Sequence, residues 1–254
     1  MGSRTSRRPG RGSSSASSPR TGPPRTGSPA AARRRRRWGT DAVRPPRRIR
    51  ELAIATKGFM PPEEGDALWS AALEAGHALP GLAFLEVGAY CGRSTLWLAA
   101  AARECGTTLW SLDHHAGSEE QQAGWEWHDA SLVDPATGRM DSLPTYLATL
   151  ERAGVRDVVV PIVGRSRDVS ARWIAPLAFV FIDGGHGVEP ARDDWRGWGP
   201  RVAPGGYLAI HDVFVDPRDG GRTPHDEIYV PALASGEYRE SSAVGSLRVL
   251  QRAS

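Results

Sequence analysis

Two short runs carry the residue types that catalysis needs: Phe181-Ile182-Asp183-Gly184-Gly185-His186 and Ile210-His211-Asp212. Each follows an apolar stretch that reads as a buried strand, so both deliver polar side chains to the same end of a sheet. Asp183 and Asp212 are hard oxygen donors of the kind that hold Mg²⁺ or another divalent cation, with His211 as a further ligand or as a partner of one. His186 lies three residues past Asp183. Its imidazole, with an ordinary pKa of about 6.5, suits removal of a proton from a hydroxyl. A lone histidine after Gly-Gly is commonly a loop residue, and strand-end acids commonly cap helices. Two such clusters on neighbouring strands are harder to account for in that way.

A third cluster, Glu86-Val87-Gly88-Ala89-Tyr90-Cys91-Gly92-Arg93-Ser94-Thr95, lies earlier in the chain. Gly88 and Gly92 allow a tight turn and a close approach to a ligand, and Ser94 or Thr95 opens the following helix. Asp113, 25 residues after Gly88, ends the next apolar run. A carboxylate there can accept both ribose hydroxyls of an adenosine-containing cofactor, or can simply terminate a strand. The loop lacks the G-x-G-x-x-G spacing that seats a pyrophosphate on a helix N-terminus. S-Adenosylmethionine (SAM) carries no phosphate, and its sulfonium and amino-acid end suit an acid such as Glu86 beneath the loop. The expected cofactor is therefore SAM rather than a nicotinamide.

These residues need a scaffold, and the hydrophobic pattern supplies one. Apolar runs at 82–87, 107–112, 158–163, 177–182 and 207–210 read as strands, with helical segments at 93–104, 141–153, 165–174 and 188–198 between them. Alternating strand and helix mean an α/β, doubly wound, mostly parallel sheet. Pro61-Pro62-Glu63-Glu64 opens an earlier helix whose apolar side runs Leu68, Ala72, Ala75, Leu79 and which stops at Pro80-Gly81. Pro161 cannot donate to a ladder, which puts the third strand at an edge. Residues 237–240 and 246–250, around Gly245, read as a closing antiparallel hairpin, bringing the sheet to seven strands. Residues 114–141 form a long insertion of the kind that serves as a lid, and Trp125 and Trp127 in it either line an acceptor pocket or pack the loop down. Acceptor specificity is expected in this lid and near 58–62 and 216–230.

Charge is unevenly spread. Residues 1–50 hold 15 of the 32 basic residues, all arginine, and one acid, Asp41. The rest of the chain is acidic, so the net charge of +3 belongs to the tail and nucleic acid is disfavoured as a partner. Residues 1–46, rich in Arg, Ser, Pro and Gly, are expected to be a disordered tail, solvated or an over-extended start, with the folded domain over 47–254. No apolar stretch follows Arg33–Arg37, which opposes an export signal, and none is long enough for a membrane span. Cys91 and Cys105 fit no metal spacing and read as reduced thiols of a cytoplasmic protein.

The stretch Leu85-Glu86-Val87-Gly88-Ala89-Tyr90-Cys91-Gly92-Arg93-Ser94-Thr95-Leu96-Trp97-Leu98-Ala99 resembles the cofactor loop of catechol O-methyltransferases. The resemblance continues over about 82–215 through Asp113, Gly164-Arg165-Ser166, Asp183 and His211-Asp212. It implies a Rossmann-like class I SAM-dependent methyltransferase in which Gly88, Tyr90, Gly92 and Ser94 contact SAM. Ser166 would lie near the adenine, with Asp183 among the residues at the cofactor. Asp183, His211 and Asp212 would then occupy the three metal-ligand positions. Catechol enzymes carry Asp-Asn where this chain has His211-Asp212, and a lysine base where it has His186. The Asp-x-x-His arrangement resembles bacterial O-methyltransferases of macrolide sugars and other natural products more closely. The implied reaction is metal-assisted O-methylation of a small-molecule hydroxyl, by a chain that could also form a homo-oligomer. Nucleic-acid methylation through the Arg-rich tail and non-catalytic SAM binding are the alternatives.

Overall fold

The structure, a computed structural model, describes residues 44–122, 124–125, 128–185 and 187–254. The Arg-rich segment through residue 43 lies outside them. The five expected strands are β1 (Ala83–Val87), β2 (Leu109–Asp113), β3 (Val159–Val163), β4 (Leu177–Ile182) and β5 (Val202–Ile210), paired in parallel. The closing hairpin is β6 (Tyr238–Val244) and β7 (Leu247–Arg252), and β7 pairs antiparallel with β5. Together they form one seven-stranded sheet in the order β3-β2-β1-β4-β5-β7-β6. Pro161 sits in β3 at the edge, where its missing N–H costs the ladder nothing. Strand order reverses between β1 and β4, which opens a crevice at their carboxyl ends.

Side chains alternate across the sheet with the strand period of two. Phe84, Phe179, Phe181 and Ala209 face a layer made by α1 (Arg47–Ala55), α2 (Pro62–Ala78), α3 (Arg93–Glu104) and α4 (Leu143–Ala153), where Leu68, Trp69, Trp97 and Leu150 are buried. Leu85, Val180, Ile182 and Leu208 face the other layer, α5 (Ser166–Ser170), α6 (Val188–Trp198) and α7 (Val230–Ala234), through Trp198, Ala191 and Ala232. All six residues of β4 are buried, as expected for a parallel strand covered on both faces. The apolar side of α2 packs as its spacing predicts, with Leu68, Ala72 and Ala75 buried. The helix α1 is not evident in the sequence, because only Ile49 and Ala53 are fully buried, with Leu52 partly so, in an arginine-rich segment.

The insertion after β2 lies against the glycine-containing loop that follows β1. Leu132 and Met140 bury themselves on Cys91 and the partly buried Tyr90, and Val133 bridges to Met140. Lys57 pairs with Asp129 and donates to Ser131 Oγ at 2.6 Å, tying the insertion to the segment that follows α1. Among the described residues no helix is long and apolar enough to cross a membrane.

Candidate active site

The carboxyl ends of β1, β2, β4 and β5 surround a cavity of about 800 Å³, within the range of small-ligand pockets. Gly88, Tyr90, Ser94, Asp113, Ser166, Asp183, His211 and Asp212 all line it. Tyr90, His115 and Asp212 hold left-handed backbone, with φ of 47°, 58° and 54°. Among the described residues no other non-glycine position does so, and each follows a different strand into this region. Such conformations cost about 1–3 kcal/mol apiece and persist where the surroundings enforce them.

The glycine-containing loop is built from below. Glu86 is fully buried, and its carboxylate accepts from Ser94 Oγ (2.6 Å), Thr95 Oγ1 (2.7 Å) and Ser111 Oγ (2.6 Å). Burial pushes its pKa up to about 7 against the pull of those hydroxyls. Glu86 is not among the residues lining the cavity, so it braces the loop and the start of α3 rather than facing a ligand. Gly88, at φ 92°, approaches the β4 loop so closely that a Cβ there would overlap the Asp183 carbonyl oxygen. Gly92, also at φ 92°, caps α3 and does not line the cavity. Asp113 ends β2 with both oxygens anchored, Oδ2 accepting from Tyr90 N at 2.8 Å and Oδ1 from His115 N at 2.7 Å. Each oxygen keeps a lone pair for a ligand hydroxyl.

At the opposite wall Ser166 donates to the buried Asp194 and accepts from Trp198 Nε1 at 2.8 Å. Burial raises the Asp194 pKa to about 7 despite the serine hydrogen bond. Asp194 lines the same cavity, a position that its place mid-helix in the sequence does not advertise.

Asp183, His211 and Asp212 converge as expected, each offering a ligand atom within 4.8 Å of the others. His211 Nδ1 lies 3.0 Å from Asp183 Oδ1 and 3.4 Å from Asp212 Oδ1. On the far side of the ring, Nε2 lies 2.7 Å from Oε2 of the buried Glu64. Burial opposes charge on His211, but Asp183 and hydrogen bonds to Asp183, Asp212 and Glu64 outweigh it, so the pKa is raised. Two carboxylates and one imidazole nitrogen aimed at a common point, with the other nitrogen held by a carboxylate, form a donor set that fits a divalent cation. Sequence reading missed Glu64, which looked like an acid at a helix N-terminus. His186 and Trp127 lie outside the described residues. Trp125 is more than half exposed and is not among the cavity's lining residues. The expected specificity segments do reach the cavity, through Gly58, Phe59 and Met60, through His114 and residues 116–119, and through Asp219 and Gly220.

A family profile described as a methyltransferase domain matches residues 85–213. Among solved structures, the O-methyltransferase NovP is 17% identical with a TM-score of 0.57, over 76% of this chain and 80% of that one. An O-methyltransferase from Bacillus cereus in complex with SAH is 17% identical with a TM-score of 0.56, over 83% and 92%. TomG from Streptomyces achromogenes, involved in tomaymycin synthesis and solved with SAM, is 18% identical with a TM-score of 0.55, over 84% and 92%. At these identities the likenesses establish the fold.

Proposed function

The chain belongs to the methyltransferase-domain family and is a class I SAM-dependent methyltransferase, and from that premise we propose that it methylates a hydroxyl of a small molecule with the help of a divalent cation. One observation carries the reading. A single cavity has Asp113 at one side and the Asp183–His211–Asp212 group at another, and the reading gives Asp113 the ribose hydroxyls. In this reading Gly88 and the Tyr90 backbone border the cofactor, Ser166 lies near its adenine, and Glu86 and Ser94 hold the loop in shape.

SAM supplies a methyl group already activated by its sulfonium, so the protein's contribution is orientation and electrostatics. Asp183, His211 and Asp212 would hold the cation, whose charge, when bound, lowers the pKa of an acceptor hydroxyl. His186, assigned from sequence alone, takes the hydroxyl proton. Phe59, Met60 and Phe214 give the cavity apolar walls that pack the acceptor and exclude water. Acids line the same cavity at Glu119, Glu189, Asp193 and Asp219, which suits a small molecule better than a polyphosphate strand.

The test is methyl transfer from labelled SAM to a panel of hydroxylated small molecules. Turnover of an accepted substrate should fall at least about a hundredfold in Asp183→Ala and in His186→Ala, the scale of general acid–base catalysis. Undiminished turnover in both variants would refute the assigned roles.

A further inference from the structure

The geometry points to Glu64 as the positioning residue that makes His211 a nitrogen ligand, and to a first-row transition-metal ion, rather than Mg²⁺, as the cation this site selects. The inference rests on the metal-assisted reading of the same cavity.

Glu64 stands in the first turn of α2, where an acid gains from the helix dipole while fully solvated. Instead it is 4% exposed. Burying a carboxylate is costly unless hydrogen bonds replace its water. Two separated parts of the chain, the β6–β7 turn and the end of β5, supply them. Ser246 N donates to Oε1 at 2.7 Å, Ser246 Oγ lies 3.2 Å from Oε2, and His211 Nε2 lies 2.7 Å from Oε2. The β6–β7 turn makes room through Gly245, at φ 52°, where a Cβ would overlap Glu64 Oε1. Phe181 lies edge-on to the imidazole, with ring centroids 6.4 Å apart.

The result is a ring with one permitted orientation. Glu64 commits Nε2, so Nδ1 faces Asp183 and Asp212, whose carboxylates line the cavity. A carboxylate behind a ligating imidazole fixes its tautomer and raises its donor strength. A set of two carboxylates and one imidazole favours ions such as Co²⁺, Fe²⁺ or Zn²⁺, whereas all-oxygen sets suit Mg²⁺.

The test uses the full chain, stripped with EDTA and then titrated with Co²⁺ or Mg²⁺ by calorimetry, with the Co²⁺ visible spectrum as a second readout and SAM binding as the folding control. The wild type should bind Co²⁺ at least about tenfold more tightly than Mg²⁺. Glu64→Gln should weaken Co²⁺ by about ten- to a hundredfold while SAM binding persists. His211→Asp, an all-oxygen set, should lose the Co²⁺ preference and its nitrogen-dependent spectrum. Unchanged Co²⁺ affinity in Glu64→Gln, or unchanged selectivity in His211→Asp, overturns the inference. If Glu64→Gln fails the folding control, Ser246→Ala replaces it, with a smaller loss of Co²⁺ affinity expected and no loss overturning the assignment. A wild type that binds SAM but neither ion would remove the metal-assisted reading itself, and the inference with it.

Discussion

Asp113 ties two loops together and, in the proposed reading, also holds the cofactor ribose. Its two oxygens already hold the amides of Tyr90 and His115, both of which carry left-handed backbone. Asp113→Asn keeps one acceptor but puts an amide donor against a backbone N–H, and should weaken SAM binding about tenfold, the scale of one hydrogen bond to a charged group. Calorimetry with folded variant checks this. The places of Asp113, Asp183 and Asp212 at the cavity were legible because each lies at the end of an apolar run, and sheet geometry dictates where a strand end points. Glu64 was not legible. It meets His211 across 147 positions of sequence, and nothing near either residue signals the other. Glu86 was legible as a buried acid beneath the loop, but its partners, three hydroxyls that satisfy both oxygens, emerge only once β1, β2 and α3 are packed together.

At the scale of elements, strands were readable because five of them are nearly continuous in apolar residues, and Pro161 placed β3 at the edge. The helix α1 escaped notice because two buried positions cannot stand out among arginines, and its packing on α3 is a tertiary effect. The insertion was recognisable by length alone. Its attachment depends on Leu132 and Met140 meeting Cys91, a contact between segments that sequence does not pair. Leu132→Ala should cost about 2 kcal/mol or more locally, through lost burial and the cavity left behind. Hydrogen exchange checks it. The Asp141 amide, bonded to the Leu132 carbonyl at 2.8 Å, and the Ser142 amide, bonded to that of His115 at 3.0 Å, should lose protection before the sheet does. Equal protection in variant and wild type would mean that contacts other than those of Leu132 hold the insertion.

Across the whole molecule, two buried acids set a pH dependence. Burial raises Glu86 and Asp194 to about 7 from 4.5 and 3.8. Between those values the folded protein holds protons that the unfolded chain has released, so these groups make stability fall as pH rises towards 7 and then level off. Asp194→Asn removes one such term. Relative to wild type it should gain stability between pH 5 and pH 8, by at most about 3 kcal/mol, as urea melts at the two pH values would report. A gain that is the same at both would assign the Asp194 effect to packing. In the proposed reading this chain binds SAM beside a group that holds a divalent cation. The most direct test is calorimetric titration of the full chain with SAM, repeated with a divalent cation and with EDTA. The account predicts saturable SAM binding near one equivalent, together with a separate cation-binding heat that EDTA abolishes. A folded protein that takes up no SAM under either condition would contradict it.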